Sequence, residues 1–222
     1  MNPMSLSSYI DHTNLQPTAT AAQIQELCAQ AKQWGFASVC IHPSYVALAA
    51  RALAGTPVQI CTVIGFPLGA NDARIKAEEA ELAVSQGATE VDMVQAIGLA
   101  KEGNWAGVEA DIRAVRDAVP QAVLKVILEC CYFTTQEKRA SVEAAVRAGA
   151  DFVKTSTGFG PSGACAEDVA LLKEAAAGRC RVKAAGGIRT LQTAQAMIAA
   201  GADRLGASAS IAIMKEAQEA YQ

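Results

Sequence analysis

Residues 145 to 156 read AVRAGADFVKTS. An apolar helical pattern stops at Gly149, and a strand-like apolar run begins almost at once with Phe152. Glycine at that junction suits the left-handed conformation that closes a helix. The same arrangement recurs as AVSQGATEVDMV at 83–94 and MIAAGADRLGAS at 197–208, with a looser version, AKQWGFASVCIH, at 31–42. Gly35, Gly87, Gly149 and Gly201 are therefore four copies of one helix-to-strand connector. A βα unit repeated along the whole chain argues for a parallel sheet covered by helices.

Eight strands are predicted: Tyr9–His12, Ser38–His42, Gln59–Ile64, Glu90–Val94, Leu124–Glu129, Phe152–Thr155, Arg181–Ala185 and Arg204–Ala207. Helical patterns separate most of them, at Asp72–Gln86, Trp105–Ala118, Thr135–Ala148, Ala166–Ala176 and Leu191–Ala200. Eight such strands in 222 residues fit an α/β chain folded as a (β/α)8 TIM barrel, a fold of typically ~250 residues. An open, doubly wound sheet is the alternative. No linker or shift of composition divides the chain, so residues 1–222 read as a single domain.

The bulk properties remove several classes of function. A hydrophobic fraction of 51% supports a large core, and a net charge of -3 offers no footprint for nucleic acid. No apolar run is long enough to cross a membrane, and the first ten residues lack the pattern of a secretory leader. Seven cysteines, with no CxxC pair, suit a reduced cytoplasmic enzyme better than a disulfide framework. Two histidines, His12 and His42, are too few for a histidine-rich metal site. No macromolecular partner is required, and a homodimer or homotetramer is compatible with these properties.

Side chains alternate along a barrel strand between the helices and the interior. In LKVILE the aliphatic Leu124, Val126 and Leu128 must face the helices, which turns Lys125 and Glu129 inward. The same parity turns Asp92 of EVDMV, Lys154 of FVKTS, Lys183 of RVKAAGG and Cys40 of SVCIHP inward, and Asp11 of YIDHT joins them. Lys125, Lys154 and Lys183 are spaced by 29 residues each time, as equivalent positions of successive units should be. One lysine in a strand usually sits at an edge or reaches out to solvent. Three of equal parity beside a carboxylate point to a site.

Two ammonium groups ~4 Å apart repel by about 4 kcal/mol at an effective dielectric near 20. That is about three pKa units, and burial acts in the same direction. A lysine so neutralised attacks carbonyls to form a Schiff base. Either Lys154 or Lys183 fits that role, the other lowering its pKa, with Asp92 moving protons. The glycine turns in AAGGIRT and RLGASAS lead into helices after the seventh and eighth strands, where barrels commonly hold phosphate. Arg189 would add a cation there and Ser208 a hydroxyl.

The motifs IDHTNLQP, TVIGFPLG, EVDMV, KVILE, DFVKTSTGF, VKAAGGIRT and DRLGAS together resemble the deoxyribose-phosphate aldolases, which are class I (Schiff-base) lyases, over nearly the whole chain. The resemblance implies a (β/α)8 barrel without metal or organic cofactor. It implies reversible cleavage of 2-deoxy-D-ribose 5-phosphate to acetaldehyde and D-glyceraldehyde 3-phosphate, within deoxyribose phosphate catabolism. By motif, Lys154 would carry the Schiff base, Lys183 would tune it and relay protons, and Asp92 would give and take them. Lys125 would orient by its charge. Asp11, Thr13 and Cys40 would line the aldehyde pocket, and Thr157, Gly158, Gly186, Gly187, Arg189, Gly206 and Ser208 would bind substrate around its phosphate.

Two positions depart from the pattern of some members: Phe159 replaces a lysine after STG, and Ala209 replaces a serine. Phosphate binding would then rest more on backbone amides, and unphosphorylated aldehydes enter as competing substrates. A terminal tyrosine, here Tyr221, reaches the site in some members. Glu129 is expected to pair with Lys125, and Cys40 to act as a small apolar wall. A transaldolase-like Schiff-base lyase is the alternative enzyme.

Overall fold

The computed structural model describes residues 3–220; Tyr221 lies outside them. Strands β1 (Ile10–Asn14), β2 (Ser38–Ile41), β3 (Gln59–Ile64), β4 (Glu90–Val94), β5 (Val123–Ile127), β6 (Phe152–Lys154), β7 (Arg181–Ala185) and β8 (Arg204–Ala207) form a closed, all-parallel barrel in chain order, β8 pairing with β1. Closure excludes the open sheet. Helices α1 (Pro3–Ser7), α2 (Ala21–Trp34), α3 (Val46–Ala52), α4 (Ala73–Ser85), α5 (Ile97–Lys101), α6 (Trp105–Ala118), α7 (Thr135–Arg147), α8 (Ala166–Ala176), α9 (Leu191–Ala199) and α10 (Ser210–Ala220) accompany it. None of these helices is long and apolar enough to cross a membrane.

Local sequence explains the element ends. Thr20 with Gln23, and Thr134 with Glu137, close reciprocal capping boxes at the starts of α2 and α7. The connector glycines Gly35, Gly87, Gly149 and Gly201 have φ of 65°, 112°, 85° and 110°. At Gly35 the residue sits in the left-handed well and donates back to Ala31 O, a closure that a side chain would strain.

The alternation read from sequence holds within the strands. Leu124, Val126, Val91, Met93, Val153 and Val182 join the large core between barrel and helices, whereas Cys40, Cys61 and Val63 cluster separately with Leu15. The register corrects one detail. Lys154 lies level with Lys183 but pairs with Ile127, and Lys125 pairs with Phe152 and Asp92. The barrel's stagger thus sets Lys125 one inward layer deeper than the other two lysines.

Candidate active site

Asp92, on the middle of β4, is the hub of the barrel interior. Its Oδ2 accepts from Lys154 Nζ at 2.7 Å and from Lys183 Nζ at 2.8 Å, while Oδ1 accepts from Lys125 Nζ at 2.9 Å. Cys61 Sγ donates to the same Oδ1 at 3.0 Å. Asp92, Lys125 and Lys183 are wholly buried, so one carboxylate brings together the three lysines that sequence parity turned inward. Lys183 also forms an ion pair with Asp11, whose other oxygen takes Arg204 Nη1 at 2.7 Å. Glu90 holds Lys125 from below at 2.5 Å.

These partners set the charges. Burial by itself would raise the Asp92 pKa, but Lys125, Lys154 and Lys183 outweigh it and hold the carboxyl well below its ordinary range. Burial would likewise raise Asp11, and Lys183, Lys125 and Arg204 hold it down. Burial would lower Lys183, yet Asp11 and Asp92 push it well above the usual lysine value. The like-charge repulsion expected from sequence to neutralise a lysine therefore does not govern Lys183. Two carboxylates flank it, and it is held as a cation.

A cleft of about 670 Å³ opens at the C-terminal end of the barrel. Of the three lysines, Lys154 lines it, together with Thr13 and Thr157. Gly158, Phe159, Gly186, Gly187, Arg189, Gly206 and Ser208 complete the expected rim. Asp11, Cys40, Asp92, Lys125 and Lys183 do not reach the wall and lie buried beneath it. The side chain of Thr13 donates to Asp11 O at 2.8 Å. Gly206 has a steric reason to be glycine: a methyl there would come within 3.2 Å of Lys183 Cε and 3.0 Å of Ala185 Cβ.

A model of the DeoC/LacD family aldolases matches residues 6–216. The chain belongs to this aldolase family. It is 54% identical to the deoxyribose-phosphate aldolase of Deinococcus radiodurans over 211 residues, covering 95% of this chain and 96% of that protein. The identity to the Thermus thermophilus protein of the same name is also 54%, with the same coverages. The structure of a tetrameric deoxyribose phosphate aldolase from Aeropyrum pernix superposes with a TM-score of 0.90 at 34% identity, covering 99% of this chain and 93% of that one.

Below the lysines lies a further charged layer that the sequence reading missed. Glu90, Arg204 and Cys61 surround Lys125, Asp11 and Asp92. Continuing the same parity two residues back from Asp92 and from Gly206 finds Glu90 and Arg204. The thiols and carboxylates do come close: Cys40, Cys61 and Asp92, and also Asp11, Cys61 and Glu90, bring ligand atoms within 4.8 Å of one another. Ammonium and guanidinium groups already supply the positive charge that a metal ion would bring there. Burial, Cys40 and Asp92 push the Cys61 thiol well up, which suits a packed side chain.

Glu129 departs from expectation. β5 ends at Ile127, and Glu129 takes φ 58°, so its carboxylate turns away from Lys125. It accepts instead from Thr157 N at 3.2 Å and from the Thr157 hydroxyl. A strand carried on to Glu129 would have kept the inward parity; the left-handed residue breaks it.

Proposed function

We propose that this aldolase reversibly cleaves 2-deoxy-D-ribose 5-phosphate to D-glyceraldehyde 3-phosphate and acetaldehyde through a Schiff base on Lys154. The observation that carries the reading is the geometry of Lys154, which lines the cleft while sharing Asp92 Oδ2 with the buried Lys183. The names and identities of the curated relatives support the substrate.

Lys154 first gives up a proton, for which Asp92 Oδ2 is the adjacent acceptor. The free amine adds to the aldehyde carbon C1 of the open-chain sugar, and the oxygen leaves as water once protonated. The resulting iminium draws the electron pair of the C2–C3 bond as the C3 hydroxyl loses its proton. D-Glyceraldehyde 3-phosphate departs and a two-carbon enamine remains on Lys154. Protonation at C2 restores the iminium, and water releases acetaldehyde and the amine. Lys183, held cationic, keeps positive charge beside Asp92 while Lys154 is neutral, and Asp92 takes and returns protons. The phosphate end of the sugar rests on the glycine turns 186–187 and 206–208 and on Arg189, with Phe159 at the rim.

Borohydride added with acetaldehyde should leave a reduced two-carbon group on the peptide containing Lys154. Lys154→Ala should abolish both labelling and cleavage of deoxyribose 5-phosphate. Labelling of active enzyme at Lys125 or Lys183 would overturn the assignment. A lower KM for deoxyribose than for its 5-phosphate would overturn the phosphate end.

A further inference from the structure

Glu129 plays no part in the charge network of the barrel, yet it is a buried carboxylate on a strained backbone. It is 2% exposed and has φ 58°, a conformation that residues with a side chain rarely adopt. Such an outlier persists where its surroundings over-determine it, and these cluster at functional sites. Both carboxylate oxygens face Thr157 N, at 3.2 and 3.3 Å, and Oε2 also takes the Thr157 hydroxyl. Thr157 Oγ1 in turn accepts from Phe159 N at 3.0 Å. Glu129 thereby fixes Thr157, and through it Phe159, in the loop that leaves Lys154.

The loop presses on Glu129 further along. A methyl on Gly160 would come within 3.1 Å of Glu129 Cδ and 3.0 Å of Cys131 Sγ. Its far end is locked to the next strand's glycine turn. Ala164 N donates to Ala185 O and Gly186 O at 3.1 and 3.0 Å, and a methyl on Gly163 would lie 2.3 Å from Gly186 O. Thr157, Gly158, Gly186 and Gly187 all line the cleft. One buried carboxylate therefore anchors the near end of a loop whose far end is pinned to the Gly186 turn.

We infer that Glu129 is a positioning residue that sets the cleft wall for the phosphate-bearing half of the substrate, through Thr157, and leaves Lys154 free to react. This rests on the function proposed above. Removing an acceptor from a buried N–H typically costs a factor of about ten or more in the process that needs it. Glu129→Gly deletes the carboxylate and suits the left-handed backbone, so its loss is not compounded by new strain.

The expected result for Glu129→Gly is an unchanged melting temperature and unchanged borohydride labelling at Lys154 with acetaldehyde. Its KM for deoxyribose 5-phosphate should rise about tenfold, with a smaller rise for unphosphorylated deoxyribose. Glu129→Gln, whose amide oxygen can still accept from Thr157 N–H, should restore KM to near the parent value. Glu129→Asn, whose shorter side chain tolerates the left-handed backbone but falls short of Thr157, should raise KM in the same direction, and it carries the test if the glycine variant does not fold. An unchanged KM in both Glu129→Gly and Glu129→Asn overturns the inference, as does an equal rise with and without phosphate. Failure of the parent enzyme itself to label at Lys154 would instead sink the function on which the inference rests.

Discussion

Lys183 shows how far the environment of one side chain can differ from a reading of its neighbours in sequence. Three inward lysines and one carboxylate suggested repulsion; Asp11 and Asp92 on either side of Lys183 reverse it. Asp11 was read as facing inward, but its pairing with Lys183 was not legible, because it lies 172 positions away and meets Lys183 only when β8 closes on β1. The consequence is measurable. Lys183→Met removes one of the three cations that hold the Asp92 pKa down, so that pKa should rise. The acid limb of the pH profile of kcat/KM should then move to higher pH, while the rate falls by about 10²-fold or more as proton transfer through Asp92 loses the cation beside it. An acid limb that stays in place would show that Lys183 does not hold the charge on Asp92.

Among the elements, α4 carries a fourth buried lysine, one outside the barrel interior. Lys76 is wholly buried and bonds Asp111 of α6 at 2.8 Å and Val94 O, at the end of β4, at 3.0 Å. It ties two helices to the strand that bears Asp92. Its ion pair is not legible in ARIKAEEAELAVS, because its partner lies 35 residues on, in another helix. The available signal was its spacing from Ala80 and Ala83, which with Lys76 form the buried stripe of α4. The strands were more legible, since a period of two is local and each strand carries its own pattern. Their ends were less so: β5 stops at Ile127 because Glu129 turns left-handed, which no pattern in KVILE announces. Lys76→Met leaves Asp111 buried without its cation, and breaking such a pair costs about 3–5 kcal/mol. Denaturant unfolding should show that loss, and Lys76→Met combined with Asp111→Leu should recover much of it. A single variant as stable as the parent would show the pair to be dispensable.

For the whole molecule, register was the property the sequence could not supply. Equal spacing of 29 residues placed Lys125, Lys154 and Lys183 on one level, but closing eight strands staggers them, and Lys125 sinks to the level of Asp92. That stagger gives the barrel a charged interior with Asp11, Asp92 and Glu90 interleaved among Lys125, Lys183 and Arg204, and folding stability becomes linked to pH. Asp11 and Asp92 titrate lower in the folded protein than their ordinary value, which is about 3.9 in an unfolded chain. Their contribution is thus complete above about pH 5 and drains away as pH falls below about 4. Lys125 and Lys183 titrate higher than usual. Their contribution is complete below about pH 10 and is lost only as pH rises beyond it. Calorimetric melting temperatures should therefore be nearly flat from about pH 5 to 9 and drop steeply below about pH 4. Asp11→Asn should lower the plateau and flatten the acid limb, since one of the titrating carboxylates is gone. A parent enzyme that melts at the same temperature at pH 3 as at pH 7, or an Asp11→Asn variant with an equally steep acid limb, would contradict a barrel held together in part by its buried charges.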